Sequence, residues 1–318
     1  MTVATPRVSV AIPVLDEEAV IPELLRRVVA VLDVLPGTGH EVVFVDDGSR
    51  DGTWALLRQA AGSDARLCAV RLSRNFGHQI ALTAALDHVS GDVTVVMDGD
   101  LQDEPEVILA LLAEHAKGFD VVCAYRRTRT EGPLLRLAYY LFYRLYRGLA
   151  PIRPPLDSGD FALLSRRVVV ELRRSRERHR FLRGLRTWVG FAQTGIAVDR
   201  AARRSGRSKY TVRRLVHLAF DGIFAFSVAP LRAAVVVGVI AIVAAMGFSL
   251  FALYAKLVLH RSPQGFTAVV LLMTFLAGVQ LLFMGTIGEY VGRIYEEVKQ
   301  RPLYVVSARL GVEPGRDG

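Results

Sequence analysis

Up to Tyr125 the chain alternates short apolar runs with longer stretches whose apolar positions recur every three or four residues. The runs Val8–Val14, Glu41–Val45, Arg66–Leu72, Asp92–Met97 and Asp120–Tyr125 are short and rich in Val, and they read as buried strands. Between the first two, Ile21, Leu24, Leu25, Val28, Val31 and Leu32 share one face, which predicts a helix over Glu17–Leu35. Thr53–Gly62, Gln79–His88 and Glu106–Lys117 read as further helices. Strands alternating with helices predict an α/β fold, a mostly parallel sheet with helices on both faces.

The pattern then changes. In Leu134–Leu149 the aromatic residues Tyr139, Tyr140, Phe142, Tyr143 and Tyr146 interleave with Arg136, Arg144 and Arg147. This suits a helix lying in a lipid headgroup layer, or an ordinary amphipathic helix packed on the sheet. Val212–Phe226 is a second amphipathic candidate. Two runs then carry no charge at all, Ala233–Ala255 and Phe266–Gly288. About 20 apolar residues cross a bilayer core. The pattern therefore predicts a hairpin of transmembrane helices, about 232–258 and 266–290, joined by His260–Gly265. The expected organisation is a catalytic domain over 1–210, a juxtamembrane amphipathic helix over 211–230, the hairpin within 231–290 and a tail over 291–318. In the tail, Val305-Val306 could add an edge strand.

Charge sharpens this. The net charge of +9 suits nucleic acid or an anionic membrane surface. Arg203, Arg204, Arg207, Lys209, Arg213, Arg214 and Arg232 precede the hairpin, and Arg293, Lys299 and Arg301 follow it. That clustering favours the membrane, and no nucleic-acid motif competes. Basic outer flanks place both termini in the cytoplasm of a multi-pass inner-membrane protein. Residues 1–6 lack the basic segment of a signal peptide, so export of the first domain is not expected. Only Cys68 and Cys123 are present, which indicates no disulfide framework.

The candidate chemistry lies at the strand ends. Asp98-Gly99-Asp100 follows the fourth strand directly. Two carboxylates so spaced can face one hard cation, Mg²⁺ or Mn²⁺, of the kind that bridges substrate phosphates. Turn chemistry alone also explains an Asp-Gly-Asp. The first strand delivers Asp16, Glu17 and Glu18, and the second delivers Asp46 and Asp47, with Asp51 or Thr53 able to cap the next helix. Open α/β sheets bind ligands at these carboxyl ends. No G-x-G-x-x-G follows the first strand and no G-x-x-x-x-G-K-[ST] is present, which disfavours hydride transfer and ATP hydrolysis.

Six ordered stretches carry a specific resemblance: P-V-L-D-E-E, V-D-D-G-S-R-D-G-T, L-S-R-N-F-G-H, M-D-G-D-L-Q-D-E-P-E, D-S-G-D-F-A-L-L-S-R and R-S-G-R-S-K-Y. Followed by a two-helix hairpin, they resemble the family 2 glycosyltransferases. Within these the chain is similar to the polyprenyl-phosphate glycosyltransferases, the dolichyl-phosphate-mannose-synthase-like group, and to the bacterial enzymes that glucosylate undecaprenyl phosphate. The resemblance implies a GT-A Rossmann-like sheet. It puts Pro13, Leu15 and Glu17 against the nucleotide, Val45, Asp46 and Asp47 at base and ribose, and Asp98, Gly99, Asp100 and Gln102 at metal and diphosphate. Asp16 replaces the usual Asn, and Leu15 a frequent Tyr; Gly99, commonly Ala, is read as permitting close backbone approach. Arg126 is implied to face phosphate, and Arg203 and Lys209, flanking Gly206, to form a basic clamp. Asp157 and Asp160 are both candidates for the acceptor-side carboxylate.

The implied reaction is one inverting displacement. A nucleotide-sugar donor, UDP-glucose as the first choice, gives its sugar to a polyprenyl phosphate with Mg²⁺ or Mn²⁺ as cofactor. GDP-mannose, UDP-N-acetylhexosamine and an amino-arabinose donor stay open. A phosphate monoester is already anionic, so positioning and charge stabilisation matter more than a general base. The catalytic candidates are Asp100, Asp157, Asp160 and Arg203. A processive polysaccharide synthase shares the domain, but Leu185-Arg186-Thr187-Trp188 does not match Q-x-x-R-W. A catalytically dead membrane scaffold is disfavoured by the intact acidic motifs. Gly238, Gly247, Gly278 and Gly285 could pack protomers together, and the resemblance implies a homo-oligomer such as a tetramer.

Overall fold

The structure is a computed structural model that describes residues 6–126, 158–178, 180–198, 229–258 and 265–311. These fall into two compact units. One holds a sheet, its helices and the tail from Arg301; the other holds the two long helices that precede the tail.

In the first unit the chain forms β1 (Val8–Val14), α1 (Ile21–Val34), β2 (Glu41–Asp46), α2 (Thr53–Ser63), β3 (Leu67–Leu72), α3 (His78–His88), β4 (Val93–Val96), α4 (Val107–His115) and β5 (Val121–Arg126). Each expected strand and helix of this half is present, with ends shifted by a few residues. The largest shift is at α1. Residues before Ile21 turn instead of winding, with the Glu17 carbonyl accepting the Val20 and Ile21 N–H groups, and Pro22 starts the helix where a missing N–H costs nothing. Beyond the periodic half come β6 (Ser158–Ser165), α5 (Arg166–Arg174), α6 (Leu182–Trp188), β7 (Gln193–Val198) and, after the long helices, β8 (Val306–Leu310).

The eight strands form one sheet in the order β7-β5-β6-β4-β1-β2-β3-β8. β4, β1, β2 and β3 run parallel, as do β5 and β7. The mostly parallel sheet is as expected, with antiparallel strands entering at two places. β6 is antiparallel to both β4 and β5, and β8 is antiparallel to β3. Every residue of β1 is buried, as a central strand covered on both faces requires. Val10, Ile12 and Val14 join one core with Ile21, Leu24 and Val28 of α1, Leu57 of α2, and Ile108 and Leu111 of α4. α3 packs on β1 and β2 from the opposite face, with α5 beside it. Ala81, Ala84 and Ala85 are fully buried there, and small side chains let that helix close on the sheet.

The second unit comprises α7 (Ala229–Leu257) and α8 (Phe266–Val298), which touch each other. Both expose large apolar side chains, among them Ile240, Ile242, Phe251, Leu281 and Met284. These helices cover the two expected spans. Among the described residues, one stretch, Phe275–Val298, is long and apolar enough to cross a membrane, and Ala234–Phe248 is a shorter apolar stretch. The amphipathic candidates at 134–149 and 212–226, Asp157, and the basic loop with Arg203 and Lys209 lie outside the described residues.

Candidate active site

Because β1, β2 and β4 are parallel neighbours, their carboxyl ends share one edge of the sheet. β6 runs the other way and delivers its first residues to the same edge. Val96 of β4 pairs with Ala162 of β6, so Asp98, two residues past the first, and Asp160, two residues before the second, arrive side by side. His78, the first residue of α3, stands between them. Its Nε2 is 3.5 Å from Asp98 Oδ1 and 3.4 Å from Asp160 Oδ2.

Asp160 is 7% exposed and held on both oxygens. Arg183 Nε donates to Oδ1 at 2.8 Å and Nη2 to Oδ2 at 3.1 Å, a two-pronged contact that only guanidinium makes. Gln79 Nε2 reaches Oδ2 at 3.5 Å, while Gln79 Oε1 accepts the Leu182 N–H at 3.0 Å. Burial pushes this carboxyl up, but Arg183 and His78 outweigh burial and hold it well below the usual carboxylate range. Asp98 goes the other way. Burial, with the nearby charges of Asp160, Asp103 and Asp100, pushes it up to about 6, against the pull of His78. Burial lowers the His78 imidazole, and its contacts with Asp160 and Asp98 more than reverse that.

The turn after β4 is set by its hydrophobic member. Leu101 adopts φ 57°, a left-handed conformation costing about 1–2 kcal/mol for an L-residue. Its side chain is buried in the main core, worth about 1.5–3 kcal/mol, so burial wins and the turn is pinned. Asp100 Oδ1 accepts the Gln102 N–H at 3.1 Å inside this turn. Gly99 is tight for a reason other than nucleotide approach. A Cβ there would meet Val14 Cγ1 at 2.6 Å and the Pro13 carbonyl at 3.2 Å, so what comes close is β1.

The ends of β1 and β2 are cross-linked. The Asp16 N–H donates to Ser49 Oγ at 3.0 Å, Asp16 Oδ1 accepts the Arg50 N–H at 2.8 Å, and the Glu17 N–H donates to Thr53 Oγ1 at 2.9 Å. Glu18 and the Asp51–Gly52 pair exchange two more bonds. Leu15 is left at the rim, 38% exposed. Pro13, Val45, Asp46 and Asp47 are buried. Asp46 Oδ1 accepts the Ser49 N–H at 2.8 Å, and its Oδ2 lies 3.2 Å from Arg71 Nε. Asp47 spends both oxygens on the backbone, accepting Phe76 N–H at 2.7 Å and Gly77 N–H at 3.0 Å. It thereby fixes the loop that carries His78. Arg126 ends β5 at the same edge as Asp98.

Of the expected residues, Asp98, Gly99, Asp100, Gln102 and Asp160 come together with the ends of β1 and β2. His78 and Arg183 join the site through the fold. His78 sat in view within N-F-G-H, behind Gly77, whose φ of 99° marks a sharp entry into α3. Arg183 gave no signal, since its partner is distant in the chain. Among the described residues no group of three or more His, Cys, Asp or Glu side chains forms a ready-made metal cage. The donor set still fits a hard cation. Asp98 and Asp100 offer oxygens, burial and then the neighbouring carboxylates raise Asp98, and a divalent ion that keeps phosphate oxygens and water needs only one or two side chains.

Residues 9–173 match the Glycosyl transferase family 2 profile. The chain is 40% identical over 97% of its length to the uncharacterized glycosyltransferase YkcC of Bacillus subtilis, covering 95% of that protein. It is 36% identical over 94% of its length to the prophage-derived bactoprenol glucosyl transferase of Shigella flexneri, covering 97% of it. Among solved structures it is similar to a mannosyltransferase from Pyrobaculum calidifontis in complex with GDP-Man and Mn²⁺ (TM-score 0.49, 21% identity, covering 70% of this chain and 64% of that one).

Proposed function

This chain belongs to glycosyl transferase family 2, and we propose that it transfers glucose from UDP-glucose to a polyprenyl phosphate, with undecaprenyl phosphate as the acceptor. The observation that carries the reading is the meeting of Asp98 with His78 and Asp160, next to the Asp100 turn, at the carboxyl edge of β1, β2 and β4. Near-full-length similarity to a bactoprenol glucosyl transferase supports the lipid acceptor and the sugar.

In the proposed reaction a phosphate oxygen of the lipid attacks C1 of the sugar from the face opposite the diphosphate. The new C1–O bond forms as the bond from C1 to the diphosphate oxygen breaks, and UDP leaves with that electron pair. A phosphate monoester is ionised near neutral pH, so its oxygen needs no proton removed. Asp98, Asp100 and Gln102 would hold Mg²⁺ or Mn²⁺, which when bound supplies positive charge against the departing diphosphate. Leu15 and the cross-linked ends of β1 and β2 would border the base and ribose, and Arg126, Arg203 and Lys209 would add positive charge for the phosphates. Asp160, gripped on both oxygens by Arg183 and facing His78, would orient its neighbours. Asp157 and Asp160 both stand as candidates for the carboxylate on the acceptor side.

The apolar surfaces of α7 and α8 support a membrane enzyme. We read them as two passes with both termini cytoplasmic. Association of protomers through these helices is part of the same proposal.

The test is transfer of radiolabelled sugar to undecaprenyl phosphate by the full chain in detergent, across a panel of nucleotide sugars. UDP-glucose is expected to give a labelled lipid, and Asp100→Ala to abolish it while the protein still inserts. No labelled lipid from any donor, or wild-type transfer by Asp100→Ala, refutes the reading.

A further inference from the structure

We propose that His78 is a positioning residue, braced by the Asp160–Arg183 pair, that sets the orientation of Asp98 for a divalent cation. This rests on the reading above that Asp98 binds that cation.

The contacts around His78 close into a ring. His78 and Gln79 open α3. Gln79 Oε1 holds the first N–H of α6 at Leu182, and the next residue, Arg183, grips Asp160 with two hydrogen bonds. Asp160, on β6, returns to His78 at 3.4 Å. Arg186, also on α6, donates to the Gly159 carbonyl at 3.4 Å, which ties that helix to the strand a second time. From the other side, Asp47 at the end of β2 fixes the two amides just before His78. The imidazole is thus located by α3, α6, β6 and β2 together, and its Nε2 is offered to Asp98 Oδ1 at 3.5 Å.

A carboxylate at a strand end can rotate about its last bond, and a ligand that rotates loses affinity for its ion. An imidazole 3.5 Å from one oxygen restricts this through space and charge, and outer partners of metal ligands typically carry 10–100-fold in affinity. The brace explains why a charged side chain as buried as Asp160 is kept with both oxygens engaged. It also assigns a use to Arg183, which the transfer reaction leaves without one.

The experiment titrates the full-length protein in detergent with Mn²⁺, alone and then with UDP, and follows loss of the free-ion signal by electron paramagnetic resonance. Asp98→Asn is expected to abolish tight binding. His78→Ala is expected to weaken it on the order of tenfold. His78→Gln, which places an N–H donor at a similar reach, is expected to restore most of the loss. Arg183→Gln is expected to weaken binding several-fold, with thermal unfolding followed in parallel. Should His78→Ala not fold, Arg183→Gln and His78→Gln decide. His78→Ala or Arg183→Gln binding Mn²⁺ like the wild type, while Asp98→Asn does not bind, overturns the brace and leaves the cation reading standing. A wild type that binds no Mn²⁺, or an Asp98→Asn that binds as tightly, overturns the cation reading and the brace with it.

Discussion

Asp98 is a residue whose chemistry and stability oppose each other. Its carboxyl is pushed up to about 6 in the fold, first by burial and then by its acidic neighbours, against about 3.9 in an unfolded chain. The folded state therefore holds this proton more tightly. Stability from this group is greatest below pH 4, falls between pH 4 and 6, and stays reduced above 6, where the ionised form is the one a cation needs. Asp98→Asn should raise the unfolding free energy at pH 8 by about 1–2 kcal/mol, discounted for the partial exposure of the side chain, and by nothing below pH 4. Thermal unfolding at the two pH values checks this, and an equal shift at both sinks it. Gly48 is the opposite case, a residue fixed by backbone alone. Its φ is +76°, and a Cβ would lie 2.6 Å from the Arg74 carbonyl carbon and 2.8 Å from the Asn75 nitrogen. Gly48→Ala combines a left-handed strain with a backbone clash and should cost more than about 2 kcal/mol, read from denaturant unfolding.

At the scale of elements, the tail is part of the catalytic sheet. β8 completes the edge of β3, Ser73 N–H donates to the Val305 carbonyl at 2.8 Å, and Ser307 Oγ donates to the Arg71 carbonyl at 3.1 Å. Just before it, Tyr304 Oη donates to Asp87 Oδ2 at 2.9 Å, the oxygen that also accepts from Arg176 Nη1. α3 thus bears His78 at one end and the tail's anchor, Asp87, at the other. Tyr304→Phe removes one bond to a buried carboxylate and should cost about 1.5–3 kcal/mol in thermal unfolding. Deleting residues 302–318 should do far more, because it bares an edge strand and its unpaired amides. A soluble, monodisperse deletion variant with an unchanged melting point would contradict this. The possible edge strand at Val305-Val306 was legible because two β-branched residues follow a helix end. Its partner was not, because β3 lies more than half the chain away.

For the whole molecule, two demands meet in one chain: a sheet that needs water at its carboxyl edge, and long helices whose apolar side chains face outward. Outward apolar surface on that scale needs a cover. The proposed two-pass arrangement puts the residues between the helices on the far side of the membrane. Cys68 and Cys123 are both buried, so Ser262→Cys would supply the reactive thiol. An impermeant maleimide should label it in intact spheroplasts, and labelling only after lysis would refute two passes. Carbonate washing should leave the full chain in the membrane fraction.

Local terms are legible in the order of residues alone: which runs are strands, which face of α1 is apolar, which runs carry no charge, and that acidic residues close β1, β2 and β4. Those follow from period and composition within a few residues. Folding in three dimensions settles that β6 enters antiparallel between β4 and β5, that Asp160, gripped by Arg183, faces His78, that Asp47 serves the backbone, and that β8 closes the edge. The physical reason is that periodicity fixes the face a residue presents, whereas neighbour and register come from long-range strand pairing, to which the spacing of residues along the chain is silent.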